Sequence, residues 1–320
     1  MSAPPVETFA YIGDVHLRLT TPRARQDAYY VTACQILEQA LTAAREQGAI
    51  AIVFGGDLGH KSAWDLRLFM EVGDLLRNSG LPIYSIVGNH DIRGYNLDTI
   101  AWSGLGALEW WGCLRILREP TPIGNSFMVY PFHAGAKDTT ELLMGTHIVP
   151  APPVGHENRL RVAAIHAPVG PEDAPWMQSY KSVPTNGFDV ALFSDIHTAF
   201  GPYKNKSGCV VANPGCLNKL SISDIGKPTQ IALVQSTSRI RYLGVASPPD
   251  SELFDLTKIR DTKDKAKQSL LAGIEAAKLA KGIDLEQHVR KVAETIKAKP
   301  SLVRLLLQEL NDVRRNTSEG

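Results

Sequence analysis

The chain has 320 residues, 44% of them apolar and 21% charged, and its 34 Lys and Arg nearly balance 33 Asp and Glu for a net charge of +1. That is the make-up of an ordinary soluble protein, long enough to bury a large core without staples, and its charge names no partner. No stretch approaches the roughly 18 consecutive apolar residues of a membrane helix, the opening MSAPPVETFAYIGDVH lacks a charged leader before a long apolar core, and four cysteines without CxxC spacing (Cys34, Cys113, Cys209, Cys216) read as reduced thiols that fill the core, so a cytoplasmic location is expected.

In chain order, TFAYIGDVHL reads as a strand opening into a loop, and DAYYVTACQILEQALTAAREQG carries apolar residues at helical spacing up to Gly48. AIAIVFGGDLGH repeats the strand and loop, WDLRLFMEVGDLLRNSG is a second amphipathic helix stopped by Asn78 to Gly80, and LPIYSIVGNHD is another buried strand. From about Ser126 strands dominate: SFMVYPFH, RLRVAAIHAP, FDVALFSDIH, CVVANPG, TQIALVQS and RIRYLGVA. Such an order predicts a layered α/β body with mixed sheets over residues 1–246, closed by the Pro-rich SPPDSELFD at the start of a linker over 247–262.

Residues 263–320 turn helical and mildly basic, a small C-terminal helical region. Leu285, Val289, Val292 and Ile296 form one apolar stripe and Leu302, Leu306, Leu310 and Val313 another, more apolar surface than short helices bury alone. Such stripes can pack on the chain's own body or on a partner.

The chemistry sits at strand ends. Asp14 and His16, Asp57, Asn89, His90 and Asp91, His166, and Asp195 and His197 all follow apolar runs, and open α/β sheets bind ligands where strands end. Singly, each has an ordinary explanation in turn chemistry or a surface hydrogen bond. Together they are oxygen and nitrogen donors without a thiolate, which suits Mn, Mg, Fe or Zn at higher coordination number. Strand periodicity would put both members of each Asp-x-His pair on one side, so that each pair clamps one ion. His60 and His133 fall off the pattern and read as supporting or surface groups. There is no G-x-x-x-x-G-K-[ST] loop for ATP and no G-x-S-x-G elbow for a serine nucleophile.

The order G-D-x-H (13–16), G-G-D (55–57), G-N-H-D (88–91), a lone His166 after a strand and a final His197 resembles the calcineurin-like metallophosphoesterases. The resemblance implies a four-layer sandwich of two mixed β-sheets flanked by helices, with two divalent ions, most naturally Mn, at its edge. It implies that Asp14, His16, Asp57 and His197 hold the first ion, that Asp57, Asn89, His166 and Asp195 hold the second, and that Asp57 bridges them. Two such ions would provide a bound hydroxide and stabilise attacking and leaving oxygens. His90 is suited to protonate the leaving group, with Asp91 orienting its ring.

One block departs from the family pattern. Where Gly-His-x-His is usual, this chain has Ser194-Asp195-Ile196-His197, so a carboxylate replaces an imidazole and a harder ion such as Mn or Mg is favoured. VVANPGCLNKLSISD and FDVALFSDIHTAFGPY are similar to segments of the SbcD-like DNA repair nucleases, which work beside an SMC-type ATPase. That resemblance implies a DNA nuclease whose C-terminal helices dock on the ATPase. The alternatives are a phosphatase or phosphodiesterase for a small molecule or phosphoprotein, and a scaffold with a degenerate metal site. A groove bearing Lys61, Trp64, Arg67, Arg93, Tyr95, Tyr203, Lys204, Lys206 and Lys219 would favour DNA.

Overall fold

A computed structural model describes residues 5–257. Its first half alternates strand and helix: β1 (Thr8–Ile12), α1 (Tyr29–Glu46), β2 (Ile52–Phe54), α2 (Leu66–Asn78), β3 (Ile83–Ser85), α3 (Gly104–Trp110) and β4 (Arg115–Ile116). The second half is mainly strand: β5 (Thr121–Ile123), β6 (Phe127–Phe132), α4 (Lys137–Met144), β7 (Leu160–His166), β8 (Val169–Gly170), β9 (Gln178–Ser179), β10 (Val190–Ser194), β11 (Phe200–Lys204), β12 (Val210–Asn213), β13 (Gln230–Gln235), β14 (Ile240–Gly244) and the short α5 (Asp250–Leu253).

Twelve of these strands form two mixed six-stranded sheets, ordered β14-β13-β1-β2-β3-β4 and β11-β12-β10-β7-β6-β5, while β8 and β9 pair with each other alone. In the first, β1 to β4 run parallel while β13 and β14 pair antiparallel at one side. In the second, β6, β7, β10 and β12 run parallel between antiparallel edges β5 and β11.

Side-chain alternation explains why the central strands are apolar throughout. Phe9 and Tyr11 of β1 enter the layer between the sheets, where Val162, Ala164, Val190 and Leu192 meet them from the other sheet. Ala10 and Ile12 point the opposite way, into the layer beneath α1, α2 and α3. Ala163, Ile165, Ala191 and Phe193 face a third apolar layer that includes Leu142 of α4. Strands buried on both faces need continuous runs of apolar residues, and this is the pattern their sequences carry.

The segment read as the start of a linker is packed: Leu253 and Phe254 are buried, and the Gln26 amide donates to the Leu253 carbonyl at 3.0 Å. Arg25 lies over the Phe254 ring at 5.4 Å, which holds this segment to the loop after β1. The Pro-rich composition did not announce the apolar pair beyond it. The two apolar stripes at Leu285–Ile296 and Leu302–Val313 lie outside the described residues. Among the described residues, no helix is long and apolar enough to cross a membrane.

Candidate metal centre

The chemistry-bearing residues gather past the C-terminal ends of five parallel strands. Interstrand register makes those ends level: Ile12 pairs with Phe54, Phe54 with Ser85, and Ser194 with His166. β1 stops at Ile12 and β10 at Ser194, so both Asp-x-His pairs lie in loops and not on strands. The periodicity expectation therefore does not govern them. His16, Asp57 and Asp195 have φ of 54°, 51° and 83°, a left-handed backbone that costs a residue with a side chain about 1–3 kcal/mol.

That strain is held by hydrogen bonds inside the site. The amides of Val15 and His16 both donate to the Asp57 carbonyl, at 3.1 and 2.8 Å, and the Asp195 amide donates to the Asp14 carboxylate at 3.1 Å. Gly88 is required by contact, since a Cβ there would stand 2.1 Å from Asp57 Oδ1. Gly56 has φ of 93°, and a Cβ there would lie 2.7 Å from His166 Nδ1.

Two sets of donors face each other across Asp57. On one side, Asp14, His16 and Asp57 each offer a ligand atom within 4.8 Å of the others, and His16 Nε2 lies 3.1 Å from His197 Nε2. On the other, His166 Nε2 lies 2.9 Å from Asn89 Oδ1, 3.7 Å from Asp57 Oδ2 and 3.7 Å from Asp195 Oδ1. Asp57 Oδ2 is also 3.8 Å from His16 Nε2, so one carboxylate serves both sets. The second Asp-x-His pair is divided, with Asp195 in one set and His197 in the other, and does not clamp a single ion. Asp195 points inward from the place where the family pattern has an imidazole.

This donor set fits cations. His166 Nδ1 donates to the Gly55 carbonyl at 2.7 Å, which leaves Nε2 facing three oxygen acceptors. Acceptors so disposed repel one another unless a proton or a metal ion lies among them. Burial lowers the basicity of His166, but the Asp57, Asp14 and Asp195 carboxylates outweigh it and push its pKa up to about 9. For His197 the Asp224 carboxylate and Cys216 likewise outweigh burial and raise it to about 11. Burial raises Asp57 well above the usual carboxylate range, with His166 opposing and Asp91 and Asp14 adding; burial also raises Asp195. Without metal, protons supply part of the positive charge the site demands.

Residues beside the two donor sets complete the site. Asp91 does not touch the His90 ring. Its carboxylate, fully buried, accepts from the amides of Asp57 at 2.8 Å and Gly88 at 2.9 Å, so it shapes the loops that carry Asp57 and Asn89. His90 is oriented instead by the His60 carbonyl, which accepts from its Nδ1 at 2.7 Å and leaves Nε2 as the nitrogen free for proton transfer. His60 stacks on His90 with ring centroids 5.1 Å apart and belongs to a group of three imidazoles with His16, closer to the chemistry than its position off the motif suggested. His133 is structural: its Nδ1 accepts from the Val87 amide at 3.0 Å. Asp224 was not anticipated at all, although its buried carboxylate lies 3.3 Å from His197 Nδ1; the Ser221-x-x-Asp224 capping box was the available signal.

These charges set a pH dependence. A histidine whose folded pKa lies above its unfolded value of about 6.5 stabilises the fold fully below that pH, and the contribution is lost as pH rises through the folded value, about 9 for His166. Raised carboxylate values at Asp57 and Asp195 act in the same direction. A divalent ion replaces those protons, so the gain in Tm between chelated and Mn-loaded protein is expected to widen from pH 6.5 to 9. A gain that stays constant or shrinks over that range would show that these protons are not what the ion displaces.

A family model described as calcineurin-like phosphoesterase matches residues 7–199. Among solved structures, a Thermus thermophilus protein is 13% identical, with 76% of this chain and 100% of its own covered at a TM-score of 0.45. A dimetal phosphatase from Danio rerio is 13% identical over 76% of this chain and 100% of its own, at 0.46. A 5'-nucleotidase precursor, also from Thermus thermophilus, is 13% identical over 84% of this chain and 59% of its own, at 0.38. No curated protein matches the sequence.

Proposed function

From the premise that the chain belongs to the calcineurin-like phosphoesterase family, we propose that it is a nuclease that hydrolyses phosphodiester bonds of DNA. Family membership by itself makes it a metal-dependent phosphoesterase with a dinuclear centre. The observation that carries this chemistry is the position of Asp57 between two donor sets, its Oδ2 3.8 Å from His16 Nε2 and 3.7 Å from His166 Nε2. Two divalent ions held there would supply Lewis acidity toward the phosphoryl oxygens and a nucleophile at neutral pH.

The chain's own groups do the rest. Asp14, His16, Asp57 and His197 form one cradle, and Asp57, Asn89, His166 and Asp195 form the other. Asp91 holds the loops beneath them through the Asp57 and Gly88 amides. His90, its ring fixed by the His60 carbonyl, would offer Nε2 as the proton donor to the leaving oxygen.

Support for DNA comes from the loops that leave the site. Lys61, Arg93 and Tyr95 are exposed directly after His60 and Asp91, and Tyr203 and Lys204 are exposed on β11. Such residues suit phosphate contact and base stacking. Two of the basic and aromatic candidates leave that set: Lys219 is buried against Asp250 at 2.6 Å, and Trp64 is wedged against Gly59 and Gly104, while Arg67 stays exposed beside Glu71 at 2.8 Å.

The test is Mn-loaded protein on single- and double-stranded oligonucleotides beside an aryl phosphodiester and an aryl phosphate monoester. Cleavage of DNA and of the aryl diester is expected, with the monoester a poor substrate. Efficient monoester hydrolysis with intact DNA would replace the nuclease reading by the phosphatase one.

A further inference from the structure

The loop that follows β12 is tied to the metal centre along its length. The Leu217 amide donates to the Asp14 carbonyl at 2.8 Å, and Asn218 Nδ2 donates to the Val15 carbonyl at 2.9 Å. Beyond them one 3₁₀ turn, Ile222–Asp224, ends on a carboxylate with no solvent exposure. Its two oxygens have separate duties. Oδ2 accepts from the amides of Leu220 and Ser221, both at 3.0 Å, and from the Ser221 hydroxyl at 3.2 Å, which closes the turn. Oδ1 faces His197 Nδ1 at 3.3 Å and Lys227 Nζ at 2.8 Å.

Cys216 joins His197 and Asp224 in one cluster of possible ligand atoms. The Lys227 ammonium already occupies Oδ1, so the cluster is poorly placed to take a further cation. What remains for Oδ1 is the imidazole. A histidine has two nitrogens, and whichever carries the proton decides which one can bind a metal. An acceptor on Nδ1 holds the proton there and turns the Nε2 lone pair toward His16 Nε2, 3.1 Å away.

We propose that Asp224 is a positioning residue of the metal centre: its Oδ1 accepts the Nδ1 proton of His197, which fixes the ring and reserves Nε2 for the ion shared with Asp14, His16 and Asp57. The proposal rests on the dinuclear reading above and adds to it a residue 27 positions beyond His197, reached through a different loop.

Asp224→Asn is the informative change. The amide oxygen can still accept from the Leu220 and Ser221 amides and keep the turn, while its NH₂ now faces His197 Nδ1. A donor there favours the opposite tautomer, with the proton on Nε2, as happens when a histidine-orienting aspartate becomes an amide. Ser221→Ala is the comparison, since it removes one bond to Oδ2 and leaves Oδ1 alone.

Titration calorimetry of the chelated proteins with Mn²⁺ should give two ions for wild type and for Ser221→Ala. In Asp224→Asn one of the two should bind about 10- to 100-fold more weakly. If wild type binds no ion, the dinuclear reading fails and the positioning role with it. If wild type binds two and Asp224→Asn binds both equally well, the dinuclear reading stands and the positioning role is overturned. Equal weakening in Ser221→Ala and Asp224→Asn would also overturn it, because loop integrity would then account for both.

Should Asp224→Asn fail to fold, the Zn²⁺-loaded wild type decides the matter by ¹⁵N–¹H correlation spectroscopy. A His197 proton on Nδ1 supports the role, and a proton on Nε2 overturns it.

Discussion

Asp57→Asn is expected to remove both metal ions from the protein while leaving the metal-free fold at least as stable as wild type. The side chain is nearly isosteric, and the amide oxygen can keep the bond from the His90 amide that Oδ1 accepts at 2.8 Å. Its other end becomes an NH₂ where Oδ2 stood between His16 and His166. An NH₂ cannot ligate a cation, so each donor set loses the oxygen it shares with the other. The same change removes a buried carboxylate that burial and the nearby Asp91 and Asp14 raise well above its usual range, with His166 and the His90 amide opposing. Metal content by elemental analysis should fall from two ions to none, and turnover should drop toward the uncatalysed rate, a loss of roughly 10⁶-fold or more. The chelated variant should melt no lower than chelated wild type. Retention of one tightly held ion would mean that Asp57 does not bridge.

His90→Asn separates proton transfer from metal binding. The backbone amide of His90 supports Asp57 Oδ1, and that bond survives any side-chain change. What is lost is an imidazole whose Nδ1 is anchored on the His60 carbonyl at 2.7 Å and whose other nitrogen is free. General acid catalysis by such a group is worth about 10²- to 10⁴-fold, so turnover should fall by that factor with both ions still present. The loss should be smaller for substrates whose leaving group is already a good one, such as an aryl diester, than for DNA. A variant that instead loses an ion would make His90 a ligand, in keeping with its place beside His16 and His60.

Together the variants assign separate duties to neighbouring residues. Asp57 and His90 follow apolar strands within 33 positions of each other and meet through one hydrogen bond. Asp91 supports both without touching the imidazole, and its buried carboxylate, pushed up to about 6 mainly by burial, directs its bonds to backbone amides. A neighbour in sequence is thus turned away from the ring it was expected to orient: Asp91 bonds the Asp57 and Gly88 amides, while the His90 ring bonds the His60 carbonyl.

The apolar runs and the order of the motifs were legible in the chain itself. A strand buried on both faces must be apolar throughout, and a polar residue at its end has to leave the core, so TFAYI, LRVAAIH and VALFS announced both the strands and the residues delivered beyond them. Those constraints are local, and local sequence carries them. What faces what was decided only by the tertiary structure. Asp195, at a φ of 83°, and His197 part to opposite donor sets, and Asp224 reaches His197 from a loop after β12 that is bonded to the loop after β1. Left-handed loop residues break the periodicity from which side-chain direction is read, and contacts between separate loops depend on the register of strands far apart in the chain. Neither leaves a repeating pattern in the residues themselves, so the donors were readable one by one, and their arrangement about Asp57 required the fold.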